Sequence, residues 1–154
     1  GLLVGGPIGV IFILLGNYMP RVRQNYTFGI KTPWTLADEV VWQRTHRVGG
    51  LVFVLMGAAS WRIRQADAPK SEKTRALRLY YAQLAVNFVW PLLFFRAGEY
   101  AVAFWWLLFL LALAAAEMAS FRRLDRTAGR LLAPYLAWLA FAAYLNYAIV
   151  RLTA

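Results

Sequence analysis

The sequence predicts an all-α membrane protein, a bundle of five transmembrane helices in one domain. Of the 154 residues, 61% are hydrophobic and 16% are charged, whereas soluble domains average about half apolar and a quarter charged. The apolar residues lie in long unbroken blocks, and a helix needs about 20 such residues to cross a bilayer. Because apolar and polar residues do not alternate within the blocks, a transmembrane β-barrel is not expected.

Five apolar blocks mark the predicted helices. They cover residues 2–19, 48–61, 79–95, 100–121 and 131–150. The first block lacks a basic start and a cleavage site of small residues, which predicts a retained helix rather than a signal peptide. Connections as short as residues 96–99 imply antiparallel neighbours packed in one bundle.

A helix start is predicted inside the polar stretch at residues 20–47. Thr35 and Asp38 form a variant of the capping box, and Pro33 stops any helix that arrives from upstream. We therefore expect a helix that begins near Leu36 and continues into the second apolar block. Gly49 and Gly50 within it would allow a kink or a close contact with another helix.

The basic residues indicate how the chain is oriented in the membrane. The formal charge is +10, which in so apolar a chain is typical of loops that face anionic headgroups rather than of nucleic-acid binding. Ten Lys and Arg side chains lie in the second and fourth loops, against seven on the opposite side. This bias predicts that the N-terminus and loops two and four are cytoplasmic. We expect the membrane to be that of a bacterial cell. The absence of cysteine excludes disulfides and thiolate metal sites.

Two of the predicted helices carry polar and aromatic side chains along one face. The stripe on the third helix contains Gln83, Asn87, Trp90 and Phe94. The stripe on the fifth contains Tyr135, Trp138, Ala142, Leu145 and Asn146. Amide and indole groups among aromatic faces are typical of a pocket for a flat, mostly apolar ligand, and kinks at Pro91 and Pro134 would open space for it. The alternative is that the amides join helices and the aromatic residues form core.

The ionisable residues give no positive case for catalysis or for a required cofactor. Glu117 is the only acidic residue deep in a predicted span, where a carboxylate is a functional candidate. Its closeness in sequence to Arg122 favours a different interpretation, a carboxylate at the membrane interface paired with an arginine. His46 has no second ligand at metal spacing, so a metal site is not expected. No nucleophile–base pair, phosphate loop or pair of carboxylates is present.

A sterol-contact pattern lies near the C-terminus. Leu145, Tyr147 and Arg151 have the order and spacing that have been proposed for cholesterol contact. Because the same pattern often arises by chance, it provides a hypothesis for sterol binding and nothing stronger.

Residues 51–154 carry motifs with a familiar order and spacing. They are Leu55-Met56-Gly57-Ala58-Ala59, Gln83-Leu84 with Asn87, Trp90 and Phe94-Phe95, Pro134-Tyr135-Leu136-Ala137-Trp138, and Ala142 with Leu145-Asn146. This part resembles the TspO/MBR family of tryptophan-rich sensory proteins, which are related to the mitochondrial translocator protein. The resemblance implies a five-helix membrane protein, often dimeric, that binds porphyrins, sterols and synthetic aromatic ligands. It also implies pocket residues at Asn87, Trp90, Phe94, Trp138 and Ala142.

The first fifty residues carry a different set of motifs. They are Gly16-Asn17-Tyr18-Met19-Pro20, Asn25-Tyr26, Gly29 through Leu36, Val41-Trp42 and Thr45-His46-Arg47. From about residue 10 to residue 50 they resemble the SdpI family of membrane immunity and signalling proteins, which protect against a secreted toxin. The sequence therefore divides into an SdpI-like first helix and loop, residues 1–50, and TspO-like helices two to five, residues 51–154. A natural fusion, a divergent member and an engineered chain would all have this pattern.

Three functions follow from these patterns. The first is a TspO-type receptor or transporter that binds a porphyrin, including haem, or a sterol-like molecule within the bundle, with the lipid bilayer and a second copy of the chain as partners. The second is an SdpI-like immunity or signalling protein. The third, a porphyrin-degrading enzyme, comes from the TspO resemblance alone.

Overall fold

The chain is helical throughout its described regular structure. The computed structural model describes residues 2–23, 37–96 and 99–153, and within them five long helices and one short helix are present. The helices are α1 (Leu2–Tyr18), α2 (Glu39–Gln65), α3 (Lys70–Pro91), α4 (Tyr100–Leu124), α5 (Arg126–Leu131) and α6 (Ala133–Thr153). A 3-10 turn, Met19–Arg21, follows α1, and a π-helical turn, Leu92–Arg96, follows α3. Each predicted apolar block thus falls in one long helix, apart from Met19 at the end of the first, the π turn at the end of the third, and Leu131 and Leu132 at the start of the fifth.

The start of α2 is set by an aspartate cap. The Asp38 carboxylate accepts hydrogen bonds from the backbone N–H groups of Val40 at 2.7 Å and Val41 at 3.1 Å, which pairs donors that a helix N-terminus otherwise leaves free. The helix then runs without a break into the second apolar block, as predicted. The expectations for Pro33, Thr35 and Leu36 lie outside the described residues.

Two segments among the described residues, Tyr100–Leu124 and Arg126–Leu152, are long and apolar enough to cross a membrane. Their most apolar 18-residue windows have mean hydropathies of 2.0 and 1.3. Large apolar side chains also point outwards, among them Phe88, which is 78% exposed, and Trp105, which is 69% exposed. So much exposed aromatic surface is typical of helices that face lipid.

The chain divides into two compact units, residues 1–61 and 62–154. In the first unit, α1 and α2 approach closely at Gly16 and Gly50, where a Cβ on Gly16 would overlap the Gly50 carbonyl oxygen. Small residues allow such backbone contact between membrane helices. One turn away on each helix, the rings of Phe12 and Phe53 meet edge to face, with centroids 5.3 Å apart. The expected close helix contact at Gly50 is therefore confirmed.

In the second unit, α4 packs against both α3 and α6. Its buried residues recur at spacings of four and three, which is one continuous stripe on a helix; they are Ala103, Leu107, Leu110, Ala114, Glu117 and Phe121. The alanines leave room for neighbouring helices to come close. Trp106 adds a hydrogen bond from its Nε1 to the Val86 carbonyl on α3, at 2.8 Å.

The junction of α4 and α5 is organised by Asp125. Its carboxylate caps α5 by accepting from the N–H groups of Thr127 at 2.7 Å and Ala128 at 3.1 Å. It also pairs with the Arg62 guanidinium, with 2.8 Å between Nη2 and Oδ2. Partial burial raises the pKa of Asp125, whereas the Ala128 N–H, the Arg62 guanidinium and the Thr127 N–H lower it. Together these three groups outweigh burial, and the pKa of Asp125 lies below its usual value.

This lowered pKa predicts an acid-sensitive contribution to stability. A carboxylate with a depressed folded pKa stabilises the fold above its unfolded pKa of about 3.9 and loses that effect as pH falls through the folded value. We expect the detergent-solubilised protein to lose thermal stability below about pH 4, and Asp125→Asn to remove part of that dependence while keeping the cap. Asp125→Ala, which loses the cap too, should cost about 1 kcal/mol.

Asp67→Asn is the matched control, because Asp67 is exposed. Thermal unfolding followed by circular dichroism from pH 2.5 to 7 (roughly one unit below to three above the ordinary aspartate value) makes the comparison. Identical pH profiles for the Asp125→Asn and Asp67→Asn variants would contradict the assignment.

Candidate ligand-binding site

A chain of hydrogen bonds joins three of the predicted site residues across α3 and α6. The Tyr135 hydroxyl donates to Gln83 Oε1 at 2.6 Å, and Asn87 Nδ2 donates to the Tyr135 hydroxyl at 3.0 Å. Gln83 and Tyr135 are buried, whereas Asn87 is half-buried. Gln83 and Asn87 can share one partner because they are four residues apart on α3, which places them on one face. We refer to Gln83, Asn87 and Tyr135 as the polar cluster.

An aromatic stack continues the same face of α3 beyond the polar cluster. The rings of Trp90 and Phe94 stack with centroids 5.1 Å apart, and Phe94 meets Tyr100 of α4 edge to face at 5.2 Å. Phe94 lies in the π-helical turn that follows Pro91. Proline has no N–H to continue the helical ladder, and π-helical turns often form at such interruptions.

The two prolines occupy different positions in their helices. Pro91 stands at the end of α3, where the helical pattern changes, as predicted. Pro134 is the second residue of α6. In the first turn of a helix a proline removes no hydrogen bond. The chain is interrupted at Leu132, between α5 and α6, and a kink at Pro134 itself stays a prediction.

The predicted stripe on α6 separates into two parts. Tyr135 and Asn146 are buried, whereas Trp138, Ala142 and Leu145 are half-buried. Trp138 and Ala142 are one turn apart, so they share a face at the edge of the buried strip. Their role in ligand binding stays a prediction.

Asn146 uses its amide to hold α6 against the first turn of α4. In the orientation that satisfies both amide groups, Nδ2 donates to the Tyr100 carbonyl at 3.1 Å and Oδ1 accepts from the Phe104 N–H at 3.2 Å. Asn146 is 1% exposed. This geometry favours the alternative interpretation from the sequence, an amide that joins two helices, although its place among the ligand-binding residues stays a prediction.

The sterol-contact pattern lies at the C-terminal end of α6. Tyr147 and Arg151 are exposed and one turn apart, whereas Leu145 is half-buried and lies around the helix from them. The Tyr147 ring packs near Phe104, with centroids 5.8 Å apart. Two of the three side chains thus share an outward face, and sterol contact there stays a prediction.

Glu117 has no arginine partner among the residues that the structure describes. It is fully buried, and neither of its carboxylate oxygens has a hydrogen-bond partner among the described residues. Arg122 is exposed, because five residues along a helix turn a side chain about 140° away. The interpretation of Glu117 as an interfacial ion pair was therefore wrong. Only its place in a buried stripe, at the spacing of Leu110 and Ala114, could have shown this from the sequence.

His46 packs inside the first unit. Its ring stacks on Trp42, with centroids 4.0 Å apart, and its Nδ1 lies 2.9 Å from the Trp42 carbonyl oxygen. Trp42 in turn donates from Nε1 to the Val22 carbonyl at 2.9 Å. Across the described parts of the chain, no three His, Asp or Glu side chains gather as a metal site would require.

With this geometry in place, comparison with known proteins identifies the family. The sequence profile of the TspO/MBR family matches residues 4–152. The chain belongs to the TspO/MBR family. It is therefore an all-α membrane protein with five long helices in its described residues, as the sequence predicted.

Individual TspO/MBR relatives agree with the profile. The chain is 40% identical over 119 residues to the translocator protein of Sus scrofa, covering 77% of this chain and 65% of that protein. It is 30% identical over 135 residues to the tryptophan-rich protein TspO of Chlorobaculum tepidum, covering 82% of this chain and 78% of that protein. The match spans only 60% to 65% of three mammalian translocator proteins.

The SdpI resemblance is confirmed as well. The chain is 30% identical over 120 residues to the immunity protein SdpI of Bacillus subtilis, covering 78% of this chain and 44% of that protein. This match is longer than the first fifty residues, and the TspO/MBR profile also runs through them. A division of the chain near Gly49 and Gly50 stays a prediction.

The hydrogen-bond chain predicts that the Tyr135 hydroxyl is a main support of the second unit. Tyr135→Phe leaves Gln83 Oε1 and the Asn87 amide without this partner inside an apolar region. Leaving buried polar groups unsatisfied costs about 1–3 kcal/mol, so thermal unfolding in detergent should occur at a lower temperature. Tyr144→Phe, an exposed tyrosine on the same helix, is the control. Equal unfolding temperatures for the two variants would show that the cluster contributes nothing.

Proposed function

We propose that this protein is a TspO-type membrane receptor or transporter that binds a flat, mostly apolar ligand, a porphyrin such as haem or a sterol-like molecule. The observation that carries the proposal is the position of the polar cluster directly beside the Trp90–Phe94 stack. An apolar face with a few convergent hydrogen-bonding groups is the usual composition of a small-molecule site.

Each predicted residue has a chemical role in this proposal. The ring system of the ligand stacks on Trp90, Phe94 and Trp138, since aromatic faces bind flat apolar surfaces. Asn87 orients the ligand, because its amide retains a second N–H and its carbonyl oxygen after it has donated to Tyr135. Ala142 leaves space on α6 for the ligand edge. The membrane location also suits apolar ligands, which partition into the bilayer before they bind.

The family and the charge pattern support further parts of the proposal. We place the protein as a multi-pass protein of a bacterial cell membrane, with the N-terminus and loops two and four in the cytoplasm. A homodimer is proposed from the family resemblance. Leu145, Tyr147 and Arg151 are proposed as a separate sterol contact on the outer face of α6.

Porphyrin titration tests the ligand-binding site. Protoporphyrin IX is added to detergent-solubilised protein, and binding is followed by the shift of the porphyrin absorbance band. Truncating a residue that anchors a ligand typically costs 2 kcal/mol or more, so Trp138→Ala and Asn87→Ala should each weaken binding at least about tenfold. Trp105→Ala is the matched control, because Trp105 is exposed on α4.

Two outcomes would refute the site. If the Trp138→Ala and Asn87→Ala variants bind as tightly as the parent, the pocket assignment is wrong. If the Trp105→Ala variant weakens binding as much as they do, the porphyrin binds to the outer surface. Circular dichroism of each variant shows that the helices are retained.

The similarity to immunity protein SdpI supports a second candidate function. In this proposal the protein protects a cell from a secreted toxin, and the segment at residues 20–47 makes the contact. The stacked pair of Trp42 and His46, near the start of α2, lies in the described part of that region.

Expression in a toxin-sensitive cell separates the two candidates. If the second is correct, protection should survive Trp138→Ala and be lost with His46→Ala. Retained protection in both variants would exclude a role for His46, and the absence of protection by the parent protein would exclude this function. Porphyrin titration of the His46→Ala variant shows whether its second unit still binds.

A further inference from the structure

Glu117 is a carboxylate buried within an apolar helix without a described hydrogen-bond partner. Its side chain has no solvent exposure, and both of its oxygens are unpaired among the described residues. Polar groups removed from water are costly unless they find a partner. So costly a group suggests a function that the proposed ligand-stacking face does not explain.

The register of α3 against α4 places Gln83 opposite Glu117. The two helices run antiparallel, since Tyr80 packs near Phe121, with ring centroids 6.3 Å apart, and the later Val86 contacts the earlier Trp106. Gln83 comes three residues after Tyr80, and Glu117 comes four residues before Phe121. Each is one helical turn from the ring contact, in the same direction along the helix pair.

Tyr135 lies against the same point from α6. Its hydroxyl is 2.6 Å from Gln83 Oε1, and it lies within electrostatic range of both Glu117 and Tyr80. Helix register and these contacts therefore bring three polar side chains of the neighbouring helices towards Glu117: Gln83 and Tyr80 on α3, and Tyr135 on α6.

After the hydrogen bond between Tyr135 and Gln83, the Gln83 amide nitrogen and the Glu117 carboxyl group remain unpaired among the described residues. Gln83 Oε1 accepts the proton of Tyr135, whereas Gln83 Nε2 has no partner among the described residues. The Gln83 amide nitrogen can only donate, and the Glu117 carboxyl group, whether ionised or protonated, keeps at least one oxygen that can only accept. A single group that pairs with both of these atoms must accept from Gln83 and donate to Glu117. A hydroxyl does both, whereas an ammonium cannot accept, and neither an ether nor a carboxylate can donate.

We propose that Gln83 and Glu117 form a binding site for a hydroxyl group. The hydroxyl belongs to an internal water or to an apolar alcohol that lies along the aromatic stack, and the second source rests on the proposed ligand-binding function. Asn87 is one turn from Gln83 towards Trp90, so an alcohol whose ring system stacks on Trp90 has its hydroxyl end next to this site.

A matched pair of probes tests the alcohol as the source. The probes are 1-pyrenebutanol and its methyl ether, which share a flat aromatic ring and differ in the hydroxyl proton. Binding is measured by energy transfer from tryptophan to pyrene. The parent protein should bind the alcohol at least about tenfold more tightly than the ether, because a buried acceptor left unpaired is costly. Glu117→Leu should reduce that ratio to about one, whereas Glu72→Leu, at an exposed position of α3, should preserve it.

Infrared spectroscopy tests water as the source. In the difference spectrum between the parent and the Glu117→Leu variant, a bound water gives an O–H stretching band that shifts when H₂¹⁸O replaces ordinary water. The Glu72→Leu variant should keep this band. Adding 1-pyrenebutanol should remove it if the ligand hydroxyl takes the place of the water.

The outcomes separate this proposal from the ligand-binding function. An isotope-sensitive band without a preference for the alcohol identifies water as the hydroxyl source, and a preference for the alcohol identifies the ligand. Equal binding of both probes together with no isotope-sensitive band overturns the hydroxyl site while leaving the ligand-binding function intact. If neither probe binds, that function fails for this ligand class, and the infrared band alone decides whether the hydroxyl site exists.

Discussion

The hydroxyl of Tyr135 is the interaction on which the interior of the second unit depends. It joins α6 to α3 by donating to Gln83 and accepting from Asn87. In a membrane-spanning region no bulk water competes for these groups, so each buried amide requires a protein partner, a ligand or an internal water. One phenol thus satisfies two amides at once and orients the face that continues into the Trp90–Phe94 stack.

Hydrogen bonds from two further polar side chains join α4 to its neighbouring helices. Asn146 bonds the backbone of the first turn of α4, and Trp106 bonds the backbone of α3. Both are polar side chains that hold helices together without exposing a polar group to lipid. Glu117 differs from them, because its carboxylate has no such described partner. That contrast is the physical reason for assigning it a role in binding rather than in packing.

Residue spacing predicted which site residues share a helix face, but not which neighbouring helix each of them contacts. The spacing of Gln83, Asn87, Trp90 and Phe94 predicted one face of α3, and the structure has them in sequence along it. Spacing also grouped Tyr135, Trp138 and Asn146, yet only Tyr135 bonds the amides of α3, while Asn146 bonds α4. The choice between these partners depends on which helix lies beside α6 at each turn. The sequence of α6 alone does not contain that information.

The sequence by itself determined the helices, the membrane class and the family, because these follow from long apolar blocks and from motifs read along one chain. The start of α2 and the close contact at Gly50 were also local enough to predict, although the cap is Asp38, which the capping-box pattern placed inside the first turn of the helix. Only the tertiary structure decided the state of Glu117, whose apparent partner Arg122 is near in sequence but turned about 140° away around α4. Pairing between side chains depends on position in space, and for Glu117 the neighbours are Gln83 and Tyr135, 34 residues before it and 18 residues after it in the chain.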